Sequence, residues 1–337
     1  MFCARLFAAV VLAALVAGST LANAAATKPS FRKVASTRFK FKEILDDDFA
    51  DPSITKFGDM WYAYATVGNG INAQLAISSD GNVWTLMSGL ETLPNPGPWA
   101  DQSYPGVWAP DVTRATNGEY VMYYSAKAAG IDQHCIGVGI ADNPTGPFIP
   151  LPTPLACPVS QGGAIDPAHF WSSDGRLYVV YKIDGNNIGH GGSCNNAIPP
   201  IVPTPIVLQQ LDPRDGYTLL GNPFRILDRG PEDGPLIEAP SLTRTPDGKF
   251  VLFYSSNCYD SSSYDIAYAW ADRITGPYVK IARLAVTGTS GLYAPGGADV
   301  SPDGSRMVFH ASDGTGRRVM FMAKLAYDSR RRLVMTI

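Results

Sequence analysis

Apolar and polar positions along this chain recur in a five-fold unit. Each copy opens on a short apolar stretch: ADPSI at 50–54, WAPDV at 108–112, IDPAHF at 165–170, EAPSL at 238–242 and GADVS at 297–301. A glycine-containing turn and an aromatic-rich apolar run follow, at 58–65, 117–125, 174–182, 247–255 and 303–311. A third β-type stretch comes next, at 72–78, 134–141, 204–211, 264–271 and 317–325. Each copy ends on a turn with a closing edge, at 80–87, 143–151, 214–221, 274–281 and 329–335. Alternating or continuous apolar runs of this length are strand signals, and no helical period of normal length competes with them. From the opening proline to the same point of the second run is ten residues in four copies, 52 to 62, 110 to 120, 167 to 177 and 240 to 250. A fixed period of short strands and turns is the signature of propeller blades. The expected fold is all-β, a five-bladed β-propeller with four-stranded antiparallel blades. Segment 28–45 is expected to add a strand that closes the ring against the last blade.

The N-terminus changes where the protein is expected to act. Arg5, an apolar stretch from Leu6 to Ala17 and Ala22-Asn23-Ala24 read as a secretory signal with its cleavage site. The apolar stretch is too short for a membrane span of about 20 residues. The expected organisation is therefore a signal peptide over 1–24 and a single propeller domain over 25–337, secreted, extracellular and monomeric. The net charge of −3 drops by one when Arg5 is lost. Nucleic acid and anionic membranes are poor partners for such a surface.

Cys3 leaves with the signal, so Cys135, Cys157, Cys194 and Cys258 remain. Four cysteines in an exported chain allow three pairings. The favoured one joins Cys135 to Cys157 within the second copy, and Cys194 to Cys258 between the third and fourth; free, buried thiols are the other reading. The largest break in periodicity, 184–205, is rich in Gly, Asn and Pro and carries Cys194. Insertions on one face of a repeat protein often build its binding face.

The candidate chemistry lies in the openings, where Asp51, Asp166 and Glu238 stand beside proline motifs in the first, third and fourth copies. First strands of propeller blades line the central channel, so these acids are expected to converge. Converging carboxyls repel when ionised, which pushes one pKa up and leaves another low. Cleavage of a glycosidic bond uses that split, with one protonated acid and one carboxylate. Trp108 holds in the second copy the slot that Glu238 holds in the fourth, and an aromatic plane there suits a sugar ring. His310 ends the fifth aromatic run where Tyr124, Tyr181 and Tyr254 end others; it reads as a core histidine or as the holder of an ion or water. His169, close after Asp166, reads as structural or as a subsite residue.

Together, ADPSI, WAPDV, AIDPAHF, PLIEAPSL and ITGPYVK resemble glycoside hydrolase family 43 over roughly residues 45–325. The resemblance implies an inverting hydrolase of plant polysaccharides, with Asp51 as general base, Glu238 as general acid and Asp166 tuning and orienting Glu238. Base and acid of such an enzyme stand roughly 6.5–9.5 Å apart to admit water. It also implies apolar walls at Trp108 and Phe49, and one Ca2+ in the central channel held by His310 with water ligands. The stretch GGADVS departs from the G-H-G pattern of many members. The chain looks closest to the branch acting on α-1,5-arabinan; a β-xylosidase or debranching arabinofuranosidase on the same scaffold is the rival, with arabinan or arabinoxylan as partner. A non-catalytic carbohydrate-binding propeller is a third reading, against which the intact acid trio argues.

Overall fold

The computed structural model describes residues 41–192, 194–327 and 333–336. The expected signal peptide and cleavage site lie outside the described residues. Strand β1 (Lys42–Leu45) comes first, and five antiparallel sheets follow. Blade one contains β2 (Ser53–Phe57), β3 (Met60–Ala65), β4 (Gln74–Ser78) and β5 (Thr85–Leu86). Blade two contains β6 (Trp108–Arg114), β7 (Tyr120–Lys127), β8 (His134–Ala141) and β9 (Ile149–Pro150). Blade three is β10 (Ala164–Trp171), β11 (Leu177–Ile183), β12 (Ile206–Leu211) and β13 (Leu219–Leu227). Blade four is β14 (Ile237–Arg244), β15 (Phe250–Ser256), β16 (Asp265–Ala271) and β17 (Val279–Ala285). Blade five has β18 (Gly296–Val300), β19 (Arg306–Ser312) and β20 (Arg318–Tyr327). Its outer edge is shared: β1 pairs with the first half of β20 and β21 (Leu333–Thr336) with the second. The expected closing strand is thus present, as half of an edge.

The turns between first and second strands explain the repeated glycines. Gly58, Gly118, Gly175, Gly248 and Gly304 all have positive φ, a conformation that strains any residue with a Cβ. The closing edges differ from the sequence reading. In blades three and four they start later, at Leu219 and Val279, because the Asp215-Gly216 and Gly276-Pro277 stretches are spent on the turn. In blades one and two the edge shrinks to two residues, a common way of blunting an exposed strand.

The first strands β2, β6, β10, β14 and β18 neighbour one another in a closed ring. Packing lies between blades. Val112, Met122 and Phe148 meet Tyr64 and Leu75 between blades one and two. Val180 and Leu208 meet Leu242 and Leu252 between three and four, and Ile54 and Trp61 meet Val308 and Met320 between one and five. Each large apolar side chain buried this way contributes roughly 1.5–3 kcal/mol. The two disulfides are Cys135–Cys157 and Cys194–Cys258, the pairing the sequence favoured.

Candidate active site

Each first strand enters the ring through one residue in the left-handed region: Asp51 (φ 50°), Ala109 (φ 44°), Asp166 (φ 57°), Ala239 (φ 49°) and Gly297 (φ 58°). Four are not glycine and four precede proline, so the conformation costs on the order of 1–3 kcal/mol at each non-glycine position. In blades two to five it coincides with a bulge in the pairing with the second strand. The N–H of each left-handed residue is bonded to a side chain of the preceding blade. Ala109 N donates to Thr66 Oγ1, Asp166 N to Ser125 Oγ and Gly297 N to Ser255 Oγ, each at 3.0 Å. Asp51 N donates to His310 Nδ1 at 3.1 Å, and Ala239 N to Asp166 Oδ2 at 2.9 Å.

This corrects the alignment of His310. Opposite Gly296 in the sheet, it matches Ser125 opposite Trp108, Lys182 opposite Ile165 and Ser255 opposite Glu238, one residue past the tyrosines. These positions form a polar ring around the channel, and the sequence signal for it was the residue following the last aromatic of each run.

Asp51, Asp166 and Glu238 come together in one pocket of about 520 Å3 at the mouth of the ring. Burial pushes the Asp51 carboxyl up, but the Arg318 guanidinium at 3.3 Å, with the bond from Thr66 Oγ1 at 2.6 Å, outweighs it and holds Asp51 below the usual carboxylate range. Asp166 is pushed well above that range by burial first and the charge of Glu238 second, against the opposing pull of Lys182. Glu238 accepts from Tyr264 Oη at 2.9 Å and from Lys182 Nζ at 3.0 Å. Lys182 is completely buried and also lies 2.9 Å from Asp184 Oδ1, its charge held by the surrounding acids. Arg318, Thr66, Lys182 and Tyr264 went unnoticed in the sequence.

Trp108 lines the pocket and stacks on His134, with ring centroids 3.6 Å apart. Burial lowers His134 to about 4, so its ring is neutral. His134 was the other residue the sequence reading passed over. Phe49, expected as an apolar wall, is elsewhere, and of the two readings of His169 its contacts fit the structural one. Phe49 is fully buried against the blade one–five core, with Leu45 and Ile54 among its neighbours, because it precedes the opening rather than belonging to it. His169 lies further along β10, mostly enclosed, where Nδ1 is 2.6 Å from Asp111 Oδ2.

The channel beneath the acids holds a cavity of about 30 Å3 bordered by Asp51, Asp111, Asp166 and Asp299. His310 does not border it. Burial takes His310 down to about 3, so the ring is neutral, and Nδ1 accepts the Asp51 N–H. The ring proton then sits on Nε2, which is buried with no hydrogen-bond partner among the described residues. A protonated ring nitrogen has no lone pair for a cation, so His310 does not fit as a direct calcium ligand. Its place in the structure is as a brace for Asp51.

A five-bladed propeller with three converging acids, one held ionised and two sharing a buried site, has the form of a glycoside hydrolase. The family model for glycosyl hydrolases family 43 matches residues 42–330, and the chain belongs to that family. It is 27% identical to an extracellular endo-α-(1→5)-L-arabinanase 1 of Bacillus subtilis, over 89% of this chain and 88% of the relative. Among solved structures, a thermostable family-43 glycoside hydrolase superposes with a TM-score of 0.69 at 26% identity, over 86% of this chain and 92% of the other. A xylan β-1,4-xylosidase from Bacillus halodurans superposes with a TM-score of 0.67 over 88% of this chain and 56% of its own length; at 20% identity it shares the fold.

Proposed function

We propose that this enzyme hydrolyses α-L-arabinofuranosyl links of 1,5-arabinan with inversion, outside the cell. The observation that carries the chemistry is the unequal treatment of the three acids, Asp51 held ionised by Arg318 and Asp166 driven up beside Glu238. Asp51 takes a proton from a water as its oxygen attacks the anomeric carbon. The bond from that carbon to the leaving oxygen breaks, and Glu238 gives the leaving oxygen a proton. Asp166 keeps a proton available to the pair and orients Glu238 through the adjoining peptide. Trp108 offers its ring to the sugar. The substrate reading rests on the arabinanase relative, which also is named extracellular.

Glu238→Gln and Asp51→Asn are each expected to cut turnover on linear arabinan by several orders of magnitude, on the order of 10²–10⁴ for loss of proton transfer alone. Near-normal rates would sink the assignment. The anomer first released, followed by proton NMR, is expected to be inverted. Hydrolysis of xylo-oligosaccharides in preference to arabino-oligosaccharides would move the substrate to the xylosidase reading.

A further inference from the structure

The insertion at 184–205 is fastened across the pocket mouth. It begins at Asp184, 2.9 Å from Lys182 Nζ, and so grows directly out of the acid site. Asn187 Nδ2 donates to Asp132 O of blade two at 2.8 Å, in the connection between β7 and β8. Cys194 is bridged to Cys258, in the connection between β15 and β16 of blade four. Asn196 is fully buried; its Nδ2 donates to Val202 O at 2.7 Å and to Pro235 O at 3.0 Å, on the chain entering blade four. Asn187, Cys194 and Cys258 all line the pocket. The insertion is therefore laced to blades two and four as well as to its own.

The opposite rim is low. Over blade one the connection is a tight turn closed between Gly68 and Ile71, and over blade five it is the short turn at Asp313–Arg317. On that side the pocket wall is made of Thr66, Val67 and Arg318, which stand at or beside strand ends. Cutting inside a polysaccharide requires sugars to leave the acids in two directions. A tethered wall over blades two to four leaves one direction.

We propose that the 184–205 insertion makes this a single-ended site, so that the enzyme removes residues from the end of the chain instead of cutting within it. The proposal rests on the arabinan reading for its substrate, while the geometry of the wall does not. Arabinohexaose tagged at its reducing end is the probe, with products separated during the first few per cent of turnover. The expected result is a ladder that shortens one step at a time, tagged pentaose and free arabinose appearing first. Tagged dimers or trimers among the first products would overturn the proposal. Releasing the wall, by Asn187→Ala and separately by Cys194→Ser with Cys258→Ser, is expected to raise the share of internal cuts at least about tenfold, the scale on which pocket contacts discriminate. An unchanged ladder in both variants would take the role from the insertion, and Asn187→Ala retains both cysteines should the cysteine variant fail to fold. If tagged xylohexaose is cut and arabinohexaose is not, the substrate reading falls, and the xylohexaose ladder decides between end-on and internal cutting by the same criterion.

Discussion

The Asp166 carboxylate accepts the N–H of Ala239 at 2.9 Å, and so is bonded to the peptide that follows Glu238. In the other four blades the corresponding N–H donates to a side chain of the preceding blade, Thr66, Ser125, Ser255 or His310. Blade three has Lys182 at the ring position, and an ammonium group cannot accept a hydrogen bond. Asp166 takes over the bond, and Lys182 is released to reach Glu238. The acid pair sits where the five-fold pattern fails.

Asp166→Asn keeps an oxygen for the Ala239 N–H and removes the charge. The raised Asp166 carboxyl keeps a proton beside Glu238, so activity is lost as pH rises through the Asp166 pKa. The substitution takes that raised carboxyl away. The alkaline limb of kcat/KM is expected to move down in pH, with a fall in kcat of about 10²–10⁴. An unmoved limb would remove Asp166 from the tuning role.

Arg318 acts on the other limb. Asp51 must be ionised, so activity is lost as pH falls through its depressed pKa. Arg318→Gln removes the main force opposing burial. The acid limb of kcat/KM is expected to rise by about 1 pH unit or more, the usual effect of an adjacent opposite charge. A limb that stays in place would show that Arg318 does not set the base.

Lys182→Met leaves Asp184 and Glu238 without the buried cation that faces both. Breaking a buried ion pair by removing one partner costs about 3–5 kcal/mol. The urea midpoint at pH 7 is expected to fall accordingly. An unchanged midpoint would mean that the buried ion pairs contribute nothing net to stability.

His134→Ala should loosen Trp108. Aromatic pairs of this kind are worth about 0.5–1.5 kcal/mol, which corresponds to a KM raised by roughly two- to tenfold with kcat little changed. Because His134 is neutral above about pH 4, wild-type KM is expected to show no histidine titration between pH 5 and 8. A KM unchanged in the variant would separate Trp108 from sugar binding.

Much of this was legible in the sequence because a propeller repeats its turns and strands. The third strand of blade two ends at the residues the pattern marked, His134 and Ala141. Edge strands read less well, since they pair on one side only and little burial constrains their pattern. Asp51, Asp166, Glu238 and Trp108 stood out because they break the repeat at the two positions just before an aligned proline. Phe49 was misjudged because an apolar residue next to an acid looks the same in sequence whether it faces sugar or core. Lys182 and Arg318 were missed for a different reason: their meaning depends on which acid lies across a blade boundary, and strand periodicity carries no such information.

The bond from Asp51 to His310 spans 259 residues and is one of several that join the last blade back to the first. Blade one leaves the ribosome with Asp51 and Thr66 but before the ring nitrogen and the guanidinium that complete its setting, since both His310 and Arg318 belong to blade five. The proposed base is thus completed only when the ring shuts. A truncated or partly assembled chain would carry every acid and still lack an ionised, braced Asp51, so catalytic competence here is itself a report of finished folding.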